Sequence, residues 1–339
     1  MKASTINTSS GEYVSNIRFE EASLLYERIL YQVKQVIVGQ EELIRKIFLS
    51  ILIGGHCLLE SPPGLAKTLL MKTLASVIKA DYKRIQGTPD LMPSDLIGMQ
   101  IYNPGTHSFS FNPGPIFANL VLVDEINRTT PKVQSALLEA MQEKQVTVAG
   151  ETHKLSDLFT VLATQNPLEY EGTYPLPEAQ LDRFTFKLLV DYPDIHQEES
   201  IVLRFCISPQ QARVEPICTF TDLMKLRRLI DQVFVEPEII RLIVQIVQAT
   251  RRPREFGLPE LEDKLEHGAS PRASIILTQA CKGMAILKGR GYVLLEDLQD
   301  IALDVLRHRI HLSYKASLEN IKPDDLIKKI IHKLLTSKI

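Results

Sequence analysis

Up to about Pro193, short and nearly uninterrupted apolar runs alternate with helix-patterned stretches; beyond it the runs stop. Residues 56–60, 82–85, 120–124, 158–164 and 184–190 read as strands, with a helix over 68–79 and helices or loops between the others. Strands apolar on both faces must be covered on both faces, which is the pattern of a parallel sheet between helical layers. Two helices are expected ahead of the sheet, over 20–36 and 41–53. After it come four amphipathic helices, near 221–234, 237–250, 271–288 and 296–309, and a short one from about Pro323. Ser270-Pro271 is a helix start and Gly289 a stop, and 251–268 reads as a charged loop. The chain therefore divides into a flexible polar leader (1–19), an α/β core (20–195) and an all-α domain (196–339).

Composition narrows the function classes. The 339 residues suit two domains of roughly 100–200 each. Lys plus Arg is 39 and Asp plus Glu is 41, a net charge of −2. That balance makes no whole-chain electrostatic case for nucleic acid or an anionic membrane. Cys57, Cys206, Cys218 and Cys281 have no metal-ligand spacing and lie in apolar contexts, so buried thiols in a reducing compartment are expected. The N-terminus has no apolar signal region. The most apolar stretch, 47–59, is broken by Gly54, Gly55 and His56 and is shorter than the roughly 18 residues of a membrane span. A soluble cytoplasmic protein is expected.

Residues 56–60 run straight into Ser61-Pro62-Pro63-Gly64-Leu65-Ala66-Lys67-Thr68-Leu69, where a helix begins. The phosphate-cradling pattern G-x-x-x-x-G-K-[ST] is met at Lys67-Thr68, while Ser61 and Ala66 stand where it has glycine. A helix N-terminus offers unpaired N–H groups and a positive dipole end to phosphate. Lys67 would reach the β- and γ-phosphates and the Thr68 hydroxyl would ligate Mg²⁺. Leu120-Val121-Leu122-Val123-Asp124-Glu125 is an apolar strand ending in two acids, which is costly unless they meet a cation or polarise a water. Asp124 suits the Mg²⁺ shell and Glu125 a general base for the attacking water. Another strand ends in Gln165-Asn166-Pro167; strand ends of a parallel sheet share one edge, so Asn166 can orient the water or the γ-phosphate. Alone, an Asn-Pro more often makes a turn.

Two segments carry hairpin signatures, 101–115 and 144–154. Between them runs a helix with Thr130 as its cap, Pro131 in its first turn, and Val133, Ala136, Leu137, Ala140 and Met141 on one apolar face. His56, His107, His153 and His308 are scattered and imply no metal or catalytic histidine. Arg251-Arg252-Pro253-Arg254 has no interleaved aromatics and acids follow closely, so a solvated loop or subunit contact fits better than a nucleic-acid surface.

SPPGLAKT, VLVDEINRTTPKVQSALLEAMQEKQVTV, ATQNPLEYEGTYPLPEAQLDRF and SPRAS, in this order, resemble the MoxR family of AAA+ ATPases from about Val38 to Arg309. The family also has alanine at the position of Ala66, but usually glycine where this chain has Ser61. The resemblance implies an AAA+ core with a helix-2 insert (101–115) and a hairpin before sensor 1 (144–154), followed by a helical lid. Both hairpins would project toward a central pore or a client; the alternative is surface hairpins that only pad the fold. It further implies that Val38, Gly39 and Gln40 flank the adenine of ATP and that Asn166 is sensor 1. Arg183 would be an arginine finger entering the neighbouring subunit's site, and Arg272, on the first turn of a lid helix, sensor 2. A planar, always charged guanidinium suits γ-phosphate charge, whereas an arginine near a helix N-terminus opposes the dipole unless a phosphate is its partner. The implied protein is a hexameric ring that hydrolyses ATP with Mg²⁺ to remodel protein clients, in complex assembly or cofactor insertion, often beside a partner with a von Willebrand factor A domain. No such domain is appended here. Two alternatives stand beside it: a nucleic-acid motor, disfavoured by the −2 charge, and a nucleotide-binding scaffold with little turnover, disfavoured by Lys67, Asp124, Glu125 and Arg183 together.

Overall fold

Every expected apolar run is a strand in the computed structural model, which describes residues 9–167, 172–207 and 214–336. In chain order, α1 (Ser9–Lys34), α2 (Glu41–Ile53), β1 (Cys57–Glu60), α3 (Lys67–Val77) and β2 (Tyr82–Gln86) come first. A short α4 (Pro93–Ile97) precedes a hairpin of β3 (Gly98–Asn103) and β4 (Ser108–Pro113). Then follow β5 (Leu120–Asp124), α5 (Pro131–Glu143), a second hairpin of β6 (Gln145–Val148) and β7 (Glu151–Lys154), and β8 (Thr160–Gln165). The sheet ends with α6 (Glu178–Leu181), β9 (Phe186–Leu189) and α7 (Ile195–Val202).

Five strands form one wholly parallel sheet in the order β2-β5-β8-β1-β9. All five residues of β5 are buried, as are the first five of β8, which accounts for the apolar runs 120–123 and 161–163. Val133, Leu137, Leu138, Ala140 and Met141 of α5 cluster with Val121, Val123, Phe159 and Val161 of the sheet region. Each of these side chains other than that of Ala140 contributes about 1.5–3 kcal/mol when fully buried. Register decides which ends meet. Glu60 pairs with Gln165 and Val123 with Ala163, so the carboxyl ends of β1, β8 and β5 lie side by side. Cys57 pairs with Phe186, so the amino ends of β1 and β9 lie together at the other edge.

Several local expectations change. The first helix begins at Ser9 rather than near Glu20, so most of the expected leader continues the helix; residues 1–8 lie outside the described residues. No proline interrupts that stretch and Gly11 is its single glycine, so polarity alone was a poor guide to its end. Thr130 stands at the N-cap of α5 but its hydroxyl caps nothing. The buried amide of Gln134 ties that region together instead, donating to the carbonyls of Ile126 (3.3 Å), Thr129 (3.2 Å) and Tyr174 (2.9 Å). Gln134 thus joins the buried face, while Ala136 is half-buried. Cys57, Cys218 and Cys281 are buried as expected, and burial pushes the Cys57 thiol up to about 12. Cys206 is exposed, because the turn after α7 leaves Leu203 and Phe205 outward too.

The described residues fall into two compact units. The α/β unit spans Ile29–Phe220 together with Asp304–Arg309; the helical unit takes the described parts of Met1–Arg28, Thr221–Leu303 and Ile310–Ile339. The helical unit holds α8 (Phe220–Gln232, from Thr221), α9 (Pro237–Ala249), α10 (Pro271–Leu287) and most of α11 (Leu295–Leu306). β10 (Leu265–His267) pairs with β11 (His311–Leu312), and α12 (Tyr314–Leu318) and α13 (Pro323–Thr336) close the unit. α9 packs on α10 and α13, and Leu242, Ile246, Leu277, Met284 and Ile330 on these helices are buried. Residues 251–268 are more ordered than a loop, with 3₁₀ turns at Pro253–Phe256 and Pro259–Lys264 pinned by buried Leu258 and Leu261. Arg252 pairs with Glu255 and Arg254 with Glu262, while Arg251 donates to the Ala269 carbonyl. No described helix is long and apolar enough to cross a membrane.

Candidate active site

Three neighbouring strands deliver the predicted chemistry to one edge. β1 ends at Glu60 and turns through Ser61–Ala66 into α3, whose first residue is Lys67. The Ser61 N–H donates to the Gln165 carbonyl (3.3 Å), which sets the loop's start beside Asn166. Ala66 occupies the N-cap of α3 in the left-handed region (φ 54°), where a non-glycine residue costs about 1–2 kcal/mol. No side chain caps α3, and its first turn carries no acid. Its orphan N–H groups and positive dipole end are therefore available to an anion.

The Lys67 ammonium donates to Ser61 Oγ (2.8 Å) and to the Pro62 carbonyl (3.4 Å). Ser61 is thus more than a small residue in a glycine's place. Burial pulls the Lys67 ammonium below the ordinary lysine range, and the carboxylates of Asp124 and Glu125 oppose that shift. Asp124 is buried at the end of β5; its Oδ2 accepts from Arg84 Nε (2.6 Å) and its Oδ1 from Thr164 Oγ1 (3.3 Å). Glu125 also sits in the left-handed region (φ 57°), held there by its N–H donating to Thr164 Oγ1 (2.9 Å). Its Oε2 accepts from Gln86 Nε2 (3.1 Å) and pairs with Arg128 (3.1 Å). Gly87 makes this close approach possible: a Cβ there would meet the Glu125 carbonyl oxygen at 2.3 Å.

Beside the loop lies a cavity of about 390 Å³. It is lined by Val38, Gln40, Pro63, Gly64, Leu65, Ala66 and Leu69, which the sequence analysis expects at the nucleotide, and by Val36, Ile37, Tyr192, Pro193, Glu198, Ile201 and Phe205. Ser61, Pro62, Lys67 and Thr68 are not among its lining residues, so the cavity is the mostly apolar end of the site and the loop its polar end. Gly39 adjoins Gln197, which a Cβ would meet at 2.9 Å. The donor set fits a nucleotide phosphate with a divalent cation. Lys67 and the α3 amides suit the phosphate, and the Asp124 carboxylate with the Thr68 hydroxyl suits a hard cation.

Known proteins are similar to this chain. Residues 56–186 match the ATPase family associated with various cellular activities (AAA), and 260–330 match an AAA lid domain. The chain is 44% identical over 305 residues to Chaperone MoxR1 of Mycobacterium tuberculosis, covering 90% of this chain and 80% of that one. The chain belongs to the MoxR family of AAA ATPases. Protein MoxR of Methylorubrum extorquens is 30% identical, over 90% of this chain and 93% of its own. The crystal structure of a proposed ATPase from Cytophaga hutchinsonii superposes with a TM-score of 0.89 at 43% identity, covering 95% of this chain and 97% of that one.

In this MoxR-family chain Arg183 stands apart from the grouping above, and Arg272 belongs to the other unit. Arg183 follows α6 and precedes β9, so it lies at the amino edge of the sheet, opposite the loop after β1. Its Nη1 donates to the Leu138 carbonyl (2.8 Å), and it borders an open concavity of about 290 Å³ with Glu139, Gln142 and Glu143. No residue of that concavity lines the cavity beside the loop. Arg272 is on the first turn of α10, in the helical unit. Sequence reasoning missed Arg84, Gln86 and Thr164, which hold the two acids. Arg84 and Gln86 alternate on β2, a polar strand at the sheet's border, and that period of two was the available signal. Part of the motif after Asn166, residues 168–171, lies outside the described residues.

Proposed function

We propose that this MoxR-family ATPase binds ATP with Mg²⁺ at the carboxyl edge of its sheet and couples hydrolysis to the remodelling of protein clients. Val38, Gly39 and Gln40 flank the adenine, with Leu69 behind the loop. Ser61–Ala66 and Lys67 cradle the phosphates. Thr68 and Asp124 hold the cation, which supplies charge to the γ-phosphate. Glu125 takes the proton of the attacking water, Asn166 orients that water, and Arg272 senses the nucleotide from the lid.

The observation that carries this reading is the meeting of three parallel strand ends, which gathers Lys67, Asp124, Glu125 and Asn166 on one edge. The placement of Arg183 supports a finger acting in trans. The four residues of β1, at about 3.3 Å each, separate the edge that carries Arg183 from the edge that carries the loop. A second subunit would therefore receive it, which favours a hexameric ring. The relative's name, a chaperone, supports work on protein clients; complex assembly or cofactor insertion, a von Willebrand factor A partner and a cytoplasmic place are what the family resemblance adds to the proposal. The arginines of 251–254 are spent on nearby carboxylates and a carbonyl, so nothing favours the nucleic-acid motor.

Glu125→Gln tests the chemistry. The amide keeps the shape and cannot take a proton, so nucleotide binding should persist while turnover falls by about 10²–10⁴. Steady-state hydrolysis, with calorimetric titration of a slowly hydrolysed ATP analogue, decides; a loss below about tenfold would remove Glu125 as the base. The same variant, loaded with ATP and used for affinity capture, should retain the client.

A further inference from the structure

Arg309 is among the most buried charged side chains of the α/β unit, with 1% of its side chain exposed. It stands just beyond α11, in the segment Asp304–Arg309 that packs with the sheet. Its guanidinium closes on one short turn. Nε donates to Asp182 Oδ1 (2.7 Å), Nη2 to the carbonyls of Asp182 (3.0 Å) and Phe184 (2.6 Å), and Nη1 to that of Thr185 (3.3 Å). Nη1 also reaches the Val305 carbonyl and lies 2.8 Å from His308 Nε2. Burial and the adjacent guanidinium hold the His308 imidazole well below its usual range, so it remains a neutral partner.

Stability alone explains this poorly. A buried ion pair rarely outperforms an apolar packing of the same volume, and its best attested use is to specify one arrangement. Here the arrangement specified is the backbone on both sides of Arg183. The carbonyls of residues 182, 184 and 185 are all taken by one rigid fork, and only that of Arg183 is left out of it. The Arg183 side chain departs toward α5 and the Leu138 carbonyl. A fork of fixed geometry can hold three carbonyls and a carboxylate at once; a lysine ammonium cannot.

We propose that Arg309 is the positioning residue of Arg183, setting the turn from which that arginine reaches a neighbouring subunit. The inference rests on the trans reading of Arg183 given above. On this proposal Arg309 acts through the backbone it clamps.

The test is subunit mixing. Arg309→Lys keeps the charge and loses the fork. It should bind the analogue adenylyl imidodiphosphate as the unmodified protein does and hydrolyse ATP about 10²-fold more slowly, the usual consequence of a misplacement near 1 Å. Mixed with Lys67→Ala subunits, whose pocket is dead and whose Arg183 is correctly held, it should regain activity above either variant alone. Undiminished turnover overturns the proposal, as does slow turnover that mixing in assembled rings does not rescue. If Arg309→Lys fails to fold, Asp182→Ala carries the same expectation and the same refutation, since it removes the carboxylate that accepts from Arg309 Nε and keeps the rest of the clamp. Arg183→Ala mixed with Lys67→Ala is the control. Rescue there without rescue of the clamp variants defeats the positioning role alone; no rescue there defeats the trans reading and this inference with it.

Discussion

The carboxyl and amino edges of the one parallel sheet are organised by different means. At the carboxyl edge, Asp124, Glu125 and Asn166 lie within a residue or two of a strand end, and Lys67 opens the helix that follows another. Side chain meets side chain in three of their contacts, Lys67 to Ser61, Arg84 to Asp124 and Gln86 to Glu125, beside backbone contacts of Lys67 with Pro62 and of Glu125 with Thr164. At the amino edge, Arg183 sits in a turn whose backbone is held from afar. Arg309, 127 positions away, clamps Asp182, and His56 binds Thr185, Val161 and Met141. Side-chain partners can be exchanged for a ligand without moving the chain. Backbone anchors cannot, and they suit a group that must present one geometry to a second molecule. On the proposed reading, the first edge would rearrange around a nucleotide and the second would stay put.

Removing Arg183 should separate the edges most widely. Arg183→Ala is expected to lower turnover by about 10³–10⁵, the contribution of trans-acting arginines in GTPases, while affinity for a slowly hydrolysed analogue is unchanged. Calorimetry beside steady-state rates reads both quantities. Weakened binding would place Arg183 at its own subunit's nucleotide and collapse the distinction.

The rigidity of the amino edge has a pH signature. His56 is buried, with Nδ1 accepting from the Val161 N–H (3.0 Å) and Nε2 donating to the Met141 carbonyl (3.2 Å). Burial lowers its pKa from 6.5 to about 4. The unfolded chain therefore binds a proton that the native state refuses. The resulting stability is present above pH 6.5 and is lost as pH falls toward 4, on the order of 3 kcal/mol. Denaturant unfolding at pH 7 and pH 4.5 should show this loss in the unmodified protein and much less of it in His56→Gln. Equal slopes in both would mean that the imidazole is solvated and the amino edge looser than its contacts require.

The smallest effect is expected at the carboxyl edge. Ser61→Gly removes the acceptor that holds Lys67, a neighbour–neighbour contact with a net value near 1 kcal/mol. Nucleotide affinity should shift by less than about 1.4 kcal/mol, or tenfold. A larger change, read by the same titration, would show that the hydroxyl contacts the nucleotide and that this edge is less exchangeable than proposed.

Legibility in the sequence followed the same division. The strand-loop-helix at 57–77 and the acid-ended strand at 120–124 were readable because each is a short contiguous pattern with its own physical signature. Arg84 and Gln86 were missed because what they touch depends on which strand borders β5, and strand order is not written locally. Thr130 looked like a cap by residue type, yet Gln134 holds that corner through a carbonyl 40 positions away. The exposed Cys206 was misread because apolar neighbours imply burial only if the fold covers them.

By itself the sequence determined the parallel sheet, the helical second part, the strand-loop-helix around Lys67 and the family. Periodicity, helix stop signals and contiguous motifs act over a few residues, and local sterics and burial enforce them whatever the rest of the chain does. Tertiary structure alone decided that β1 lies between β8 and β9, that Arg84 reaches Asp124, and that a residue beyond the eleventh helix holds the turn of Arg183. Those pairings join positions far apart in the chain, and they form only when the whole sheet has settled its order and register.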